Sequence, residues 1–256
     1  MNASLNKPIR IHYLYHSGFA IEVDDITLII DYYKDASTQE FKSLVNEYLL
    51  KRSGPLYVMS THFHADHFTR EIFSWREKKS NIFYILSNDI ANRHRADINE
   101  ATFLKKGEAF NDANIRIEAF GSTDCGVSFL IDIGGYRIFH AGDLNNWHWR
   151  DESTEQEVNK AEGDFLSEVR YITKSIKLLD IAFFPIDARM GSDYYRGAQQ
   201  FVNLIKIRNF VPMHFGDDYE SAEAFRYIAE SFGCHFVSIK HRGELFEIVL
   251  NNQINK

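Results

Sequence analysis

Cysteine is nearly absent from this chain: Cys125 and Cys234 are the two among 256 residues. Two cysteines cannot form a disulfide framework, so the chain reads as a protein of a reducing compartment, with the cytoplasm as the expectation. Proline is also scarce, at positions 8, 55, 185 and 212 only. No Pro/Gly/Ser linker, repeat or low-complexity tract divides the sequence, and one domain over 1–256 is expected. No stretch reaches the ~18 consecutive apolar residues of a membrane helix. The opening MNASLNKPIR lacks the apolar core of a signal peptide. Positive charge is not in excess either: 29 Lys and Arg stand against 36 Asp and Glu, a formal charge of −7. An acidic chain is a poor default partner for nucleic acid or anionic lipid. A small-molecule partner is therefore expected, with no membrane partner; oligomeric state has no signal in the sequence.

Aromatic residues are plentiful, with 21 Phe and 13 Tyr, and 11 His fall partly in clusters. Strands are expected at 9–15, 19–24 and 26–31, where β-branched and aromatic residues are broken by Gly18 and Asp24-Asp25. Ser37 and Glu40 suggest a capping box for a helix carrying Phe41, Leu44, Val45, Tyr48 and Leu49 on one face. A strand at 56–60 is followed by a histidine cluster and a helical stretch to about Lys79. Further strands are expected at 82–86, 115–119, 126–133 and 136–140, the last two joined by a Gly134-Gly135 hairpin. The clearest helix spans 153–179, with Val158, Ala161, Phe165, Val169, Ile172, Ile176 and Leu179 in 3–4 steps and a capping box at Ser153 and Gln156. A strand at 181–186, a helix near 193–207, a strand at 210–213, a helix near 218–232 and strands at 235–239 and 244–250 complete the pattern. Two packed sheets with helices outside would bury all of these faces.

The chemistry concentrates in Thr61-His62-Phe63-His64-Ala65-Asp66-His67. Four metal-capable side chains lie within six residues, directly after a buried strand. On extended backbone His62 and His64 point to one side, and a turn would redirect Asp66 and His67 to a neighbouring point. Incidental histidines in a polar loop would rarely adopt this spacing.

This segment resembles the signature of the metallo-β-lactamase-fold metallohydrolases. Companion motifs follow in the family's order: Asp31 ends ITLIID, Asp143 closes Phe139-His140-Ala141-Gly142-Asp143, and His214 lies in Pro212-Met213-His214-Phe215-Gly216. The segment His16-Ser17-Gly18-Phe19-Ala20-Ile21-Glu22 is similar to the opening hairpin of the lactonase-like branch. The resemblance implies an α+β, four-layer αββα sandwich. It implies that His62 and His64 bind a first metal, that Asp66, His67 and His214 bind a second, and that Asp143 bridges them. Zn²⁺ is the expected cofactor, as one or two divalent ions, with Mn²⁺ or Fe²⁺ as alternatives. A hydroxide held between two such ions ~3.5–4 Å apart is a nucleophile at neutral pH. Asp66 would be the catalytic carboxylate, and Asp31 and His140 would support the ligands from behind.

One departure concerns the first metal. The family places a further histidine before a glycine-containing strand, and here the segment reads Phe120-Gly121-Ser122-Thr123-Asp124-Cys125-Gly126. Asp124 is the strongest anionic oxygen donor in that stretch and is the expected substitute; Cys125 is the other donor nearby. Trp147, His148, Arg189 and Tyr194 are expected to line the substrate pocket. Taken together, the chain should be a metal-dependent hydrolase of an ester, lactone or phosphodiester bond. A nuclease or cyclic-nucleotide phosphodiesterase, or a ligand-binding protein without turnover, are the alternatives.

Overall fold

The computed structural model describes residues 8–249. The first sheet is built from β1 (Ile9–Tyr15), β2 (Gly18–Val23), β3 (Ile26–Ile30), β4 (Leu56–Ser60), β5 (Ile82–Ser87) and β6 (Thr102–Leu104). The second comprises β7 (Ala109–Asn111), β8 (Ile115–Phe120), β9 (Ser128–Ile133), β10 (Tyr136–His140), β11 (Leu178–Pro185), β12 (Lys206–Met213) and β13 (His235–Phe236). β14 (Leu245–Ile248) returns to the first sheet beside β1, giving the orders β14-β1-β2-β3-β4-β5-β6 and β13-β12-β11-β10-β9-β8-β7. Each sheet is half antiparallel and half parallel. The pairings β3–β4–β5–β6 in one and β10–β11–β12–β13 in the other are parallel.

Period-two alternation explains the layers. Along the first sheet Ile11, Tyr13, Phe19, Ile21, Leu28, Ile30, Tyr57 and Met59 face the second sheet. Their neighbours Ala20, Ile29, Leu56 and Val58 face outward into a separate cluster. That cluster is covered by α1 (Leu44–Glu47), 3-10 turns at Leu49–Lys51 and Arg70–Glu77, and α2 (Asn88–Asn92). The second sheet is covered by α3 (Glu155–Ile172), α4 (Arg196–Leu204), α5 (Tyr219–Ala224) and α6 (Arg226–Ser231), which contribute Phe165, Val169, Phe201, Ala222 and Ala229 to the main core, with Phe225 between the last two. This is the expected αββα sandwich.

Several local expectations are corrected. The segment from Ser37 is not helical. The Asp35 carboxylate accepts from the Ala36 and Val45 amides and bonds the Ser43 hydroxyl, which holds the chain in turns until Ser43 caps the four-residue α1. The stretch after the histidines is 3-10 rather than α-helical. The capping box of α3 sits one residue later, at Thr154 and Glu157. The helix stops at Ile172, because Ile176 and Leu179 reach the same core from a turn and from β11. The 193–207 expectation shrinks to α4, and β12 begins four residues before 210. The 218–232 helix breaks into two at Phe225. β13 pairs over two residues only, and position 250 of the final expected strand lies outside the described residues. The short edge strands β6 and β7 were not legible as strands. The Gly134-Gly135 hairpin forms as expected, with both glycines at positive φ.

On the outer face of the first sheet, Glu22 is 3% exposed and meets His12 Nε2 at 2.6 Å, Arg52 at 2.5 Å and Arg10 at 3.2 Å. Burial opposes its ionisation, but His12, Arg52 and Arg10 hold its carboxyl below the usual range. A depressed carboxylate stabilises the fold above its unfolded pKa and loses that contribution as pH falls through the folded value. Glu22→Gln should therefore cost roughly 3 kcal/mol near pH 7, because it leaves the half-buried Arg52 and the more exposed Arg10 without their buried carboxylate. In urea titrations the gap from the parent should close below the ordinary carboxylate value of ~4.3. A gap unchanged down to pH 3 would contradict the assignment.

Candidate metal centre

The site lies where the parallel strands of both sheets end. β3 delivers Asp31, β4 delivers Thr61 and His62, β10 leads to Asp143, β11 to Asp187 and β12 to His214. Asp31 is fully buried and has a positive φ of 50°, which turns its carboxylate toward β4. It accepts from the Thr61 amide at 2.7 Å, the Thr61 hydroxyl at 2.8 Å and His67 Nδ1 at 2.8 Å. The Thr61 oxygen, having donated its proton to Asp31, accepts from His62 Nδ1 at 3.1 Å. One carboxylate thus sets the tautomer of two imidazoles, directly for His67 and through Thr61 for His62, and leaves both Nε2 lone pairs facing inward.

Asp143 faces those nitrogens without bonding to them. Its Oδ2 lies 3.4 Å from His62 Nε2, and its Oδ1 lies 3.2 Å from His67 Nε2 and 3.3 Å from His214 Nε2. His214 is oriented from behind by Asp187 at 3.0 Å, which is itself gripped by Arg189 through Nε and Nη2. Two glycines permit this convergence. A Cβ on Gly126, at φ +70°, would stand 2.1 Å from the Thr61 carbonyl, and one on Gly142, at φ +54°, would stand 2.7 Å from Thr61 Cβ. The 122–127 loop and the Asp143 turn can therefore press directly on β4.

That approach brings the loop donors to His64. Asp124 Oδ2 is 3.5 Å and Cys125 Sγ is 3.9 Å from His64 Nδ1. His62, His64, Asp124 and Cys125 have donor atoms within 4.8 Å of one another, as do His16, Asp66, His67 and His214. The electrostatics suit a cation. Burial pushes His62 down to about 4, which keeps it neutral. Burial also opposes charging of His214, but Asp143 and Asp187 raise it to about 10. Burial works against the ionised forms of Asp66 and Asp143, yet the surrounding histidines hold both carboxyls well below the usual range. The strongest test of fit is hydrogen bonding. His16 Nε2, His62 Nε2, His67 Nε2 and Asp143 Oδ1 are buried with no hydrogen-bond partner. Unpaired buried polar atoms are costly, and these four, spread over two adjoining donor groups that share His67, fit bound divalent ions.

The remaining expected residues separate. Trp147 lies at the site, its ring 5.3 Å from that of His214 and its Nε1 donating to the Asp143 carbonyl at 2.7 Å. His140 is buried, donates from Nε2 to the Ser17 carbonyl and accepts the Gly142 amide at Nδ1, so it ties the Asp143 turn to the β1–β2 turn. Two substrate-pocket expectations are corrected. His148 is 1% exposed, and its Nδ1 accepts the Arg150 amide while its Nε2 donates to the Asp193 carbonyl. Tyr194 gives its hydroxyl to the Ser221 carbonyl and packs against the core. Both polar groups are committed to backbone and hold loops together. Arg189 lines the cleft, a space of about 290 Å³, with Tyr15, Tyr33, Lys34, Asp66 and His214, although two of its nitrogens face Asp187.

Sequence reasoning missed His16, the orienting role of Asp187 and the relay through Thr61. His16 stood within a recognised segment, but nothing local marks a hairpin-turn histidine as facing His214.

Residues 10–166 match the Beta-lactamase superfamily domain. Igni18, a metallo hydrolase from the archaeon Ignicoccus hospitalis KIN4/I, is similar with a TM-score of 0.68 at 18% identity, over 96% of this chain and 100% of that one. CmlA, a diiron beta-hydroxylase from Streptomyces venezuelae, gives 0.63 at 11% identity, over 97% of this chain and 55% of that one. YhfI, a metallo-beta-lactamase fold protein from Bacillus subtilis, gives 0.60 at 12% identity, over 94% and 99%. At such identities the likeness is one of fold. No curated protein matches the chain.

Proposed function

The chain belongs to the beta-lactamase superfamily, and from that premise we propose that it is a metal-dependent hydrolase cleaving an ester, lactone or phosphodiester bond of a small anionic molecule. The observation that carries this reading is the convergence of four buried, unpartnered donor atoms from three segments: the turn at His16, the stretch that holds His62 and His67, and the turn at Asp143. Asp66, His67 and His214 would hold one divalent ion, His62 and His64 another, and Asp143 would serve both. Nitrogen and oxygen donors of this kind suit Zn²⁺, Mn²⁺ or Fe²⁺. Bound there, such an ion lowers the pKa of water and polarises the bond under attack. Asp66, whose side chain is 42% exposed at the cleft, orients the attacking water and accepts its proton at a carboxylate oxygen. Arg189 and Asp187 keep His214 in place.

The anionic preference rests on the cleft wall. Lys34, which lines the cleft with Tyr15 and Tyr33, has its Nζ 4.6 and 4.7 Å from their ring centroids. This cation supplies attraction to a negative group, and the tyrosines supply flat apolar surface. Elemental analysis of the purified protein, with a panel of anionic esters, lactones and phosphodiesters assayed before and after chelation, tests the proposal. Metal-free protein inert on the whole panel after reloading with Zn²⁺, Mn²⁺ and Fe²⁺ would refute it.

Asp124 should complete the first position. Asp124→Ala is expected to lower metal from about two ions per chain toward one, while the Asp66–His67–His214 position stays filled. Retention of full two-ion binding by Asp124→Ala in a metal titration would remove the aspartate from the ligand set.

A further inference from the structure

We propose that His16 is an additional ligand of the ion held by Asp66, His67 and His214, so that this position is built from three imidazoles as well as carboxylates. The inference rests on the metal-binding reading above and adds to it a residue from the β1–β2 turn. The side chain is 9% exposed, and its Nε2 has no hydrogen-bond partner. Asp66 Oδ2 lies 3.4 Å away without making a hydrogen bond to it. The ring lies 4.0 Å from that of His214 and 5.8 Å from that of His67, centroid to centroid. Three imidazoles gathered with so little hydrogen bonding among them need a common target.

The distances suit one. Two donors at ~2.0–2.2 Å from the same ion are at most about 4.4 Å apart. The donor atoms of His16, Asp66, His67 and His214 lie within 4.8 Å of one another before any ion draws them in. The backbone holds the arrangement in place. His16 and His214 both have positive φ, at 59° and 65°, and the His214 amide donates to the His16 carbonyl at 3.1 Å. The His16 amide donates to the Tyr13 hydroxyl at 2.9 Å, which itself donates to the Gly216 carbonyl at 3.1 Å. Left-handed conformations at non-glycine residues persist where surrounding contacts fix them, and they gather at functional sites. Here the contacts tie the two histidine-bearing turns, one from each sheet, into a single frame. A merely structural histidine in this buried place would be expected to have both nitrogens satisfied, as His140 and His148 do.

The consequence is an asymmetric centre. The position at His62 and His64 takes Asp124 and Cys125 from a partly exposed loop, whereas the other rests on the three buried imidazoles of His16, His67 and His214 and should bind its ion more tightly.

Two variants test the assignment without disturbing the turn. Asn tolerates the left-handed conformation and is too short to reach the Nε2 point, and Gly accepts positive φ freely while leaving a slot for free imidazole. Co²⁺ would be the probe, with affinity measured by chelator competition and coordination read from the visible spectrum. The expected result is at least a tenfold loss of affinity at the tighter position in His16→Asn and His16→Gly. It should be accompanied by a spectral change toward lower coordination, and added imidazole should restore the parent spectrum in His16→Gly. Unchanged affinity and spectrum in variants whose metal-free forms melt like the parent would overturn the ligand assignment. Loss of turnover with intact cobalt binding would also overturn it and would assign the imidazole to the substrate instead. A parent protein that takes up no metal would overturn both this inference and the proposed function, so the two failures are distinguishable.

Discussion

Asp66→Asn is expected to reduce turnover by at least about a hundredfold on any substrate the protein cleaves, with the fold intact. A positioned proton acceptor contributes typically 10²–10⁴ in rate, and this substitution also removes a charged metal donor. Asp66 is well placed for both tasks. It is ionised throughout the working range, because His16 and His67 outweigh the burial that opposes its charge, and it opens to the cleft. It follows the buried strand β4 in a short turn, closed by the His67 and Phe68 amides on the His64 carbonyl, so little of the core depends on its side chain. Steady-state kinetics on the parent's best substrate, with circular dichroism as the control for folding, gives the answer. Activity within about tenfold of the parent, ~1.4 kcal/mol of barrier, would show that the carboxylate does not act in the chemistry.

Asp31→Asn should have the largest effect on stability. The native carboxylate accepts three hydrogen bonds, from the Thr61 amide, the Thr61 hydroxyl and His67 Nδ1, with no exposure to water. An amide of the same shape fits the positive φ, but its NH₂ must face at least one of those donors. Removing one charged partner from a buried, hydrogen-bonded set costs about 3–5 kcal/mol. For a chain of this size each kcal/mol shifts Tm by roughly 2–4 °C, so a fall of about 10 °C is expected. The same change frees the His62 and His67 tautomers, and loss of such orienting contacts typically costs 10–100-fold in metal affinity. Calorimetry on metal-free and metal-loaded protein separates the two effects. A melting point within about 2 °C of the parent would mean that the three hydrogen bonds contribute little.

Legibility in the sequence followed the range of the interactions. The strands of the sandwich could be read because each alternates between two buried faces, as at Leu28, Ile29 and Ile30 or Tyr57, Val58 and Met59. The short helices could not. Asp35 diverts the chain before α1 through side-chain bonds to Ser43 and Val45, and a helical spacing runs past Ile172 only because a turn and a strand place Ile176 and Leu179 in the same core. Closeness to Asp143 along the chain points His148 to the pocket, and a place after the strand at 181–186 points Tyr194 there. Backbone groups of the neighbouring loop and of α5 claim their polar atoms instead.

The sequence by itself determined the architecture and the metal-capable cluster. Both depend on local facts: the periodicity of each strand, and a strand-then-turn that spaces His62, His64, Asp66 and His67. Only the tertiary structure decided which residues stand around that cluster. Parallel strands from two sheets must end at the same edge before Asp31 can orient His67, Asp187 can orient His214 and His16 can face both Asp66 and His214. These partners are remote along the chain, and each is a single residue in a turn. No periodicity marks them, and their meeting is set by sheet order and by close glycine contacts at Thr61.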